Sequence, residues 1–276
     1  MTADGSHADA APVAPTLLLE ERRGRVALLT LNRPAQRNCL SEALILALQG
    51  AIDRLSCDPD VAAVVINADG PAFSSGHDLK ELSARRADAD GGRVYFAHVM
   101  DICARMMLSI VRSPKPFIAA VEGVASAAGC QLVATCDLAA AGAAARFTTP
   151  GVNIGLFCST PMVALTRNMP RKRAMEMLLL GEMLAADEAV DFGLVNRVVA
   201  EGNALAAALA MAEVIAAKST ATVAIGKETF YRQLEAPLAE AYAQAAEVMV
   251  RNMMYRDAAE GIGAFIEKRQ PEWKGC

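Results

Sequence analysis

The chain has 276 residues, 54% of them hydrophobic and 21% charged, with a net charge of −4 and a pI near 5.5. That length supports one large domain, or a core with an accessory unit, and the acidic balance argues against a nucleic-acid partner. No apolar run reads as a membrane span. Seven scattered cysteines without a CxxC pair, and only three histidines, give no zinc-site pattern and no metal is expected; the cysteines read as reduced thiols of a cytoplasmic protein.

Residues 1–15, MTADGSHADAAPVAP, have neither a basic nor an apolar leader segment and read as a disordered tail. TLLLEER and RVALLTL read as strands around an Arg23-Gly24 turn. After the loop LNRPAQRNCLS, Ser41 is placed to cap a helix to about Asp53. Residues 61–66 are a buried strand, and Asp78 can cap a short helix behind PAFSSGH. A helix over about 92–111 breaks at Ser113-Pro114-Lys115-Pro116, ahead of the strand FIAAVEG. ASAAGCQLVATCD reads as a helix, followed by short strands LAAAGA and RFTT and the loop TPGVNIGLFCSTP. The remainder predicts helices over 162–167, 171–180, 186–192, 204–217, 221–234, 238–252 and 258–268, with a strand at 194–199. Alternating β and α, then almost pure helix, predict an α/β core at 16–204 and a helical oligomerisation region at 205–276.

Two loop-to-helix signals carry the chemistry. SSGHDL puts Gly76 at a sharp turn beside the N–H groups of His77 and Asp78, and EGVASAAGC puts small residues where a helix emerges from a buried strand. Helix N-termini present unsatisfied donors, and small side chains let a ligand reach the backbone. Facing each other, the two would polarise a carbonyl as an oxyanion hole. Taken singly, each is only a turn.

With LNRPAQRNCLS, AFSSGHDLKEL, SPKPFIAAVEGVASAAGCQLVATCDLAAA, FTTPGVNIGLF and GIGAFIEKRQPEW in order, residues 16–276 resemble the crotonase (enoyl-CoA hydratase/isomerase) superfamily. The resemblance implies an α/β fold, a spiral of ββα units with a C-terminal helical trimerisation region. It further implies homotrimers or hexamers, and an acyl-CoA thioester ligand with no cofactor beyond the coenzyme A it carries. The backbone N–H groups of His77 and Ala128 would form the oxyanion hole, and Arg33, Lys80, Phe265 and Lys268 would meet coenzyme A. Hydratases of this family use two glutamates as acid and base. Those positions are Gln131 and Gly151 here, and neither can move a proton. A general acid–base group supplies ~10²–10⁴-fold in rate, so enoyl hydration is expected to be weak or absent. Other enolate chemistry, such as decarboxylation with a polar role for His77, and a non-catalytic acyl-CoA-binding protein are the alternatives.

Each residue also has a plainer reading. The His77 ring can merely pack while its N–H functions, and Gln131 can satisfy nearby backbone instead of substrate. Ser126 lacks the GxSxG context of a nucleophile. Cys130 and Cys158 read as packing thiols, Asp78 as a helix cap, and Thr149, Asn153 and Ser159 as turn residues that could hold a water.

Overall fold

Two strands that pair around a tight turn start the main sheet, and the structure, a computed structural model, describes residues 16–276. β1 (Leu18–Arg23) and β2 (Val26–Leu31) are antiparallel, with Arg23 opposite Val26 and Gly24 at φ +57 in the turn. From β2 onward the pairing is parallel through β3 (Ala63–Ala68), β4 (Phe117–Val121), β6 (Leu138–Gly142) and β9 (Arg197–Val199), in the order β1-β2-β3-β4-β6-β9. Parallel strands need both faces covered, which is why β2, β3 and β4 are nearly continuous apolar runs. Leu29, Val64, Ile66, Phe117 and Ala119 face one core, with α1 (Glu42–Cys57) and α3 (Arg93–Arg112). The alternate residues Val26, Leu28, Ala63, Val65, Ile118 and Ala120 face the other.

That second face is closed by α8 (Ala204–Ala216), through Ala208, Leu209, Met211 and Ala212. The boundary expected at 204/205 therefore cuts in front of a helix that belongs to the core. An alanine-rich helix with apolar residues on every side gives no sign of which layer it joins. Only α9 (Thr220–Gln233), α10 (Leu238–Met253) and α11 (Arg256–Glu267) form the separate helical unit. The expected tail at 1–15 lies outside the described residues.

Local signals set most helix ends. The Ser41 side chain accepts from the Leu44 N–H at the start of α1, and Asp78 accepts from Lys80 and Glu81 at the start of α2 (Leu79–Ala84). α3 is long and apolar enough to pass a membrane-span test by composition. Its buried residues Val99, Ile102, Cys103, Met106 and Ile110 follow helical spacing, and that stripe packs on α1. A second sheet, β5-β7-β8, uses β5 (Val124–Ser126), β7 (Arg146–Thr148) and β8 (Leu184–Ala185). β5 falls inside a stretch expected to be helical. The helix, α4 (Ala128–Thr135), begins only after it. A 3₁₀ turn over Pro150–Ile154 follows β7, and α5 (Ser159–Asn168), α6 (Arg171–Leu180) and α7 (Ala186–Asp191) complete this layer.

One buried charge joins the helical unit to the core. Lys227 on α9 donates to the carbonyls of Ile110 and Lys115 at 2.9 and 2.8 Å and to Asp137 Oδ2 at 2.7 Å. Asp137, just beyond α4, also accepts from the Phe117 N–H at 2.7 Å and the Tyr231 hydroxyl at 2.8 Å. Removing one partner of such a pair leaves a buried charge uncompensated, at a cost of about 3–5 kcal/mol. Lys227→Met is therefore expected to lower unfolding free energy by roughly that amount in urea, and a loss below about 1 kcal/mol would assign the pair no anchoring role.

Candidate active site

Three loops converge at the C-terminal ends of β2, β3 and β4. The loop after β3 is tied on one side to the loop after β2. There Ser75 N–H donates to Arg37 O at 3.0 Å, Leu40 N–H to Gly76 O at 2.8 Å, and Asp78 N–H to Leu40 O at 3.3 Å. On its other side it pairs with β5, through Ser126 N–H to Ser74 O at 2.8 Å and Ser74 N–H to Val124 O at 3.2 Å. Asn38, fully buried at φ +52, braces the first loop by donating to Asp69 O and Ala72 O.

This stitching brings the two predicted donors together. A Cβ placed on Gly76, at φ +88, would lie 2.9 Å from Ala127 Cβ, 3.0 Å from Ser126 O and 3.3 Å from Ala128 N. The loop carrying His77 thus lies directly against the start of α4. Neither the His77 nor the Ala128 N–H has a partner among the described residues. Ala127, between them in the fold, sits at φ +49 and ψ −116, a strained conformation for a residue with a Cβ. Its N–H donates to Thr148 O and its carbonyl accepts from Gln131 N–H, both at 2.9 Å, which holds the strained peptide in place.

Around these donors lie buried polar atoms with no partner. Both ring nitrogens of His77, Oε1 of Gln131 and Oγ1 of Thr149 belong to this set. Native interiors pair nearly all such groups, and the residues that carry these four atoms belong to or flank the segments that meet here. Burial pushes the His77 ring below the ordinary histidine range, against the smaller opposing influence of the Leu40 backbone and the Glu81 charge. The ring is neutral at pH 7 and able to accept a proton.

Gly151 is buried, and its side-chain space is already filled. A Cβ there would lie 2.5 Å from Leu156 O and 2.9 Å from Cys158 Sγ, and Leu156 N–H donates to Gly151 O at 2.9 Å. A longer side chain at 151 requires the 151–158 loop to move.

A second polar cluster stands beside His77, and sequence reading misses it because its members come from three helices. Glu42 and Glu81, in the first turns of α1 and α2, meet where Glu42 N–H donates to Glu81 Oε2 at 3.0 Å. His98 Nε2 lies 2.9 Å from Glu42 Oε1. Tyr95, one turn before His98 on α3, has a buried hydroxyl without an aligned partner. Burial first, then the Glu81 and Glu42 carboxylates beside it, push that phenol above its ordinary range. The only hint in the sequence is the helical spacing of Tyr95 and His98.

The expected coenzyme A contacts are placed unevenly. Arg33 donates to Cys39 O at 2.7 Å and pairs with Asp78 at 3.2 Å, so its guanidinium braces the loops before it meets any phosphate. Lys80 is exposed beside the site. Phe265 is 85% exposed, and Lys268 caps α11 at φ +56. α11 packs chiefly on α9 and α10, so contacts within the chain do not bring this pair to the loops. Cys130 and Cys158 are buried, and burial lifts the Cys130 thiol to about 12, which fits packing rather than reactivity.

The close approach of the loops makes opposite predictions for neighbouring residues. Gly76→Ala should destabilise by about 1–3 kcal/mol, because it adds both strain and a clash. Ala127→Gly relieves a positive φ and should stabilise by about 1 kcal/mol, raising Tm by a few degrees. Thermal unfolding of both variants checks this, and shifts of the same sign would contradict the contact.

The sequence profile of the enoyl-CoA hydratase/isomerase family matches residues 21–276. An enoyl-CoA hydratase domain-containing protein 3, mitochondrial, of Xenopus laevis is 46% identical over 259 residues, covering 94% of this chain and 86% of that protein. Among solved structures, an enoyl-CoA hydratase of Mycobacterium smegmatis superposes with a TM-score of 0.89 at 52% identity, over 94% of this chain and 99% of that one. Human enoyl-CoA hydratase domain-containing protein 3 does so with a TM-score of 0.89 at 44% identity, over 94% and 100%. The vertebrate relatives are named mitochondrial, which overturns the cytoplasmic expectation. Reduced thiols and an acidic pI describe any reducing interior and do not tell cytosol from a mitochondrial matrix. The chain belongs to the enoyl-CoA hydratase/isomerase family, with the crotonase fold, in the subgroup of enoyl-CoA hydratase domain-containing protein 3.

Proposed function

We propose that this protein binds acyl-CoA thioesters and polarises the thioester carbonyl between the backbone N–H groups of His77 and Ala128, while hydrating enoyl-CoA weakly or not at all. The observation that supports this reading is the packing of Gly76 against Ala127 and Ala128, in a region where neither the His77 nor the Ala128 N–H has a partner among the described residues. Paired, preorganised donors of this kind stabilise developing charge on a carbonyl oxygen. Ala128 would donate through its backbone, and its methyl group leaves that N–H untouched. Coenzyme A enters as part of the substrate.

Weak hydration follows from the proton inventory. Gln131, only 5% exposed, keeps the shape of a glutamate without its acidity. At Gly151 the space for a second acid is taken by the Leu156 carbonyl and the Cys158 sulfur. The second position therefore differs in backbone packing as well as in residue type. Exposed apolar residues on the helical unit, among them Leu238, Val250 and Met253 on α10 and Phe265 and Ile266 on α11, support self-association into trimers or hexamers.

A CoA thioester well above its Kd should stabilise the fold by a few kcal/mol, read as a rise in Tm with butyryl-CoA; no shift with any CoA compound would contradict the reading. Crotonyl-CoA hydration should stay near background in the native protein and remain low in Gln131→Glu, because one restored acid still lacks its partner. Full hydratase turnover in the native protein would overturn the claim of impairment.

A further inference from the structure

The site lacks both acids of the hydratase, yet it adjoins a cluster of four proton-carrying side chains on other elements. The parallel pairing of Leu40 with His77 sets the start of α1 beside the start of α2. Two residues beyond Leu40 stands Glu42, and one helical turn beyond His77 stands Glu81. The Glu42 N–H bond to Glu81 Oε2 closes the arrangement. α3 crosses this junction with Tyr95 and His98 on one face, their rings 6.4 Å apart. The Arg85 guanidinium lies 4.6 Å over the Tyr95 ring and fixes it from the other side.

We propose that His77 is the base that takes the α-proton of a bound acyl-CoA, and that Glu81, Tyr95, Glu42 and His98 connect it to solvent. This rests on the acyl-CoA reading above. In the step, the Cα–H bond breaks and its electron pair forms the enolate, whose charge settles on the oxygen held by the His77 and Ala128 N–H groups. The proton passes to a ring nitrogen of His77. Return of a proton from the relay restores the C–H bond, so the net result is exchange of the α-hydrogen with water and no other reactant is consumed.

Four features support the assignment. Both His77 ring nitrogens are buried and neither makes an aligned hydrogen bond, although the Leu40 backbone lies near the ring. The same residue carries a donor of the proposed hole, so the ring and that N–H belong to one residue of the loop. The Glu81 charge bears on the ring and favours the imidazolium that proton transfer creates. The far end of the chain opens to water, since the His98 side chain is 46% exposed. The other titratable neighbours are occupied: Asp78 is tied to Arg33 and accepts from the Cys39 thiol, itself lifted to about 11. Gln131 and Thr149 carry no charge.

Butyryl-CoA in D2O tests this directly, because it has α-hydrogens and no double bond to hydrate. Deuterium uptake at its α-carbon is followed by mass spectrometry across about pH 5 to 9, with the full chain and with thioester binding read separately by thermal shift. The native protein should catalyse exchange. His77→Gln should slow it by ~10²-fold or more while binding persists, since the backbone donor remains. Glu81→Gln should move the midpoint of the pH profile to lower pH, because the charge that supports the imidazolium is gone. Glu81→Asp should restore it in part. Tyr95→Phe should slow exchange with binding intact.

Exchange that survives His77→Gln, or a midpoint that stays fixed in Glu81→Gln, overturns the assignment. Bound thioester without exchange in the native protein overturns both the His77 base and the relay and leaves the binding reading standing. No thioester binding at all overturns both.

Discussion

Ser74 holds the site in register. Its carbonyl accepts from Ser126 N–H, its amide donates to Val124 O, and its hydroxyl donates to Asn38 O at 2.8 Å. One residue thus joins the loop after β2, the loop after β3 and the strand that leads into α4. The joint tolerates no extra atom nearby: a Cβ on Gly129 would lie 2.4 Å from Ser74 O. Because this ladder fixes the distance between Gly76 and Ala127, it also fixes the spacing of the His77 and Ala128 donors. The rest of the molecule serves that spacing. The doubly covered parallel sheet supplies the rigid strand ends, and Lys227 locks Asp137, just past α4, to the helical unit.

Within this frame the electrostatic and proton-transfer parts of the site have separated. The backbone N–H groups of His77 and Ala128 do not depend on side-chain identity. The carboxylates are another matter. The buried side chain at 131 is a neutral amide and position 151 has none, and the Leu156 carbonyl and Cys158 sulfur fill the space beside Gly151. Acidic groups remain close by, on the first turns of α1 and α2, where helix N-termini favour negative charge.

Features governed by local rules were legible in the sequence, and those governed by long-range pairing were not. The caps Ser41 and Asp78, the Gly24 turn and the limits of α6 follow from residues within a few positions of one another. β5 was hidden because Val124–Ser126 has almost no strand signature, and its partners Arg146–Thr148 and Ser74 lie elsewhere in the chain. α8 was assigned to the wrong unit because its composition is apolar on all sides. The positions that the resemblance marks, His77, Ala128, Gln131 and Gly151, could be located from their motifs alone. The role of Arg33 could not, since its partner Asp78 is 45 residues away. The acidic cluster was equally invisible, since Glu42, Glu81 and Tyr95 meet only through the Leu40–His77 pairing.

The central claim is that paired backbone donors polarise a thioester carbonyl while the hydratase acids are missing. The carbonyl stretch of butyryl-CoA labelled with ¹³C at the thioester carbon tests it most directly, measured by difference infrared spectroscopy in the bound state. The account predicts a stretch at lower frequency than for the same thioester in water, because two fixed N–H donors withdraw more charge than mobile water does. A bound carbonyl at or above its aqueous frequency would contradict it.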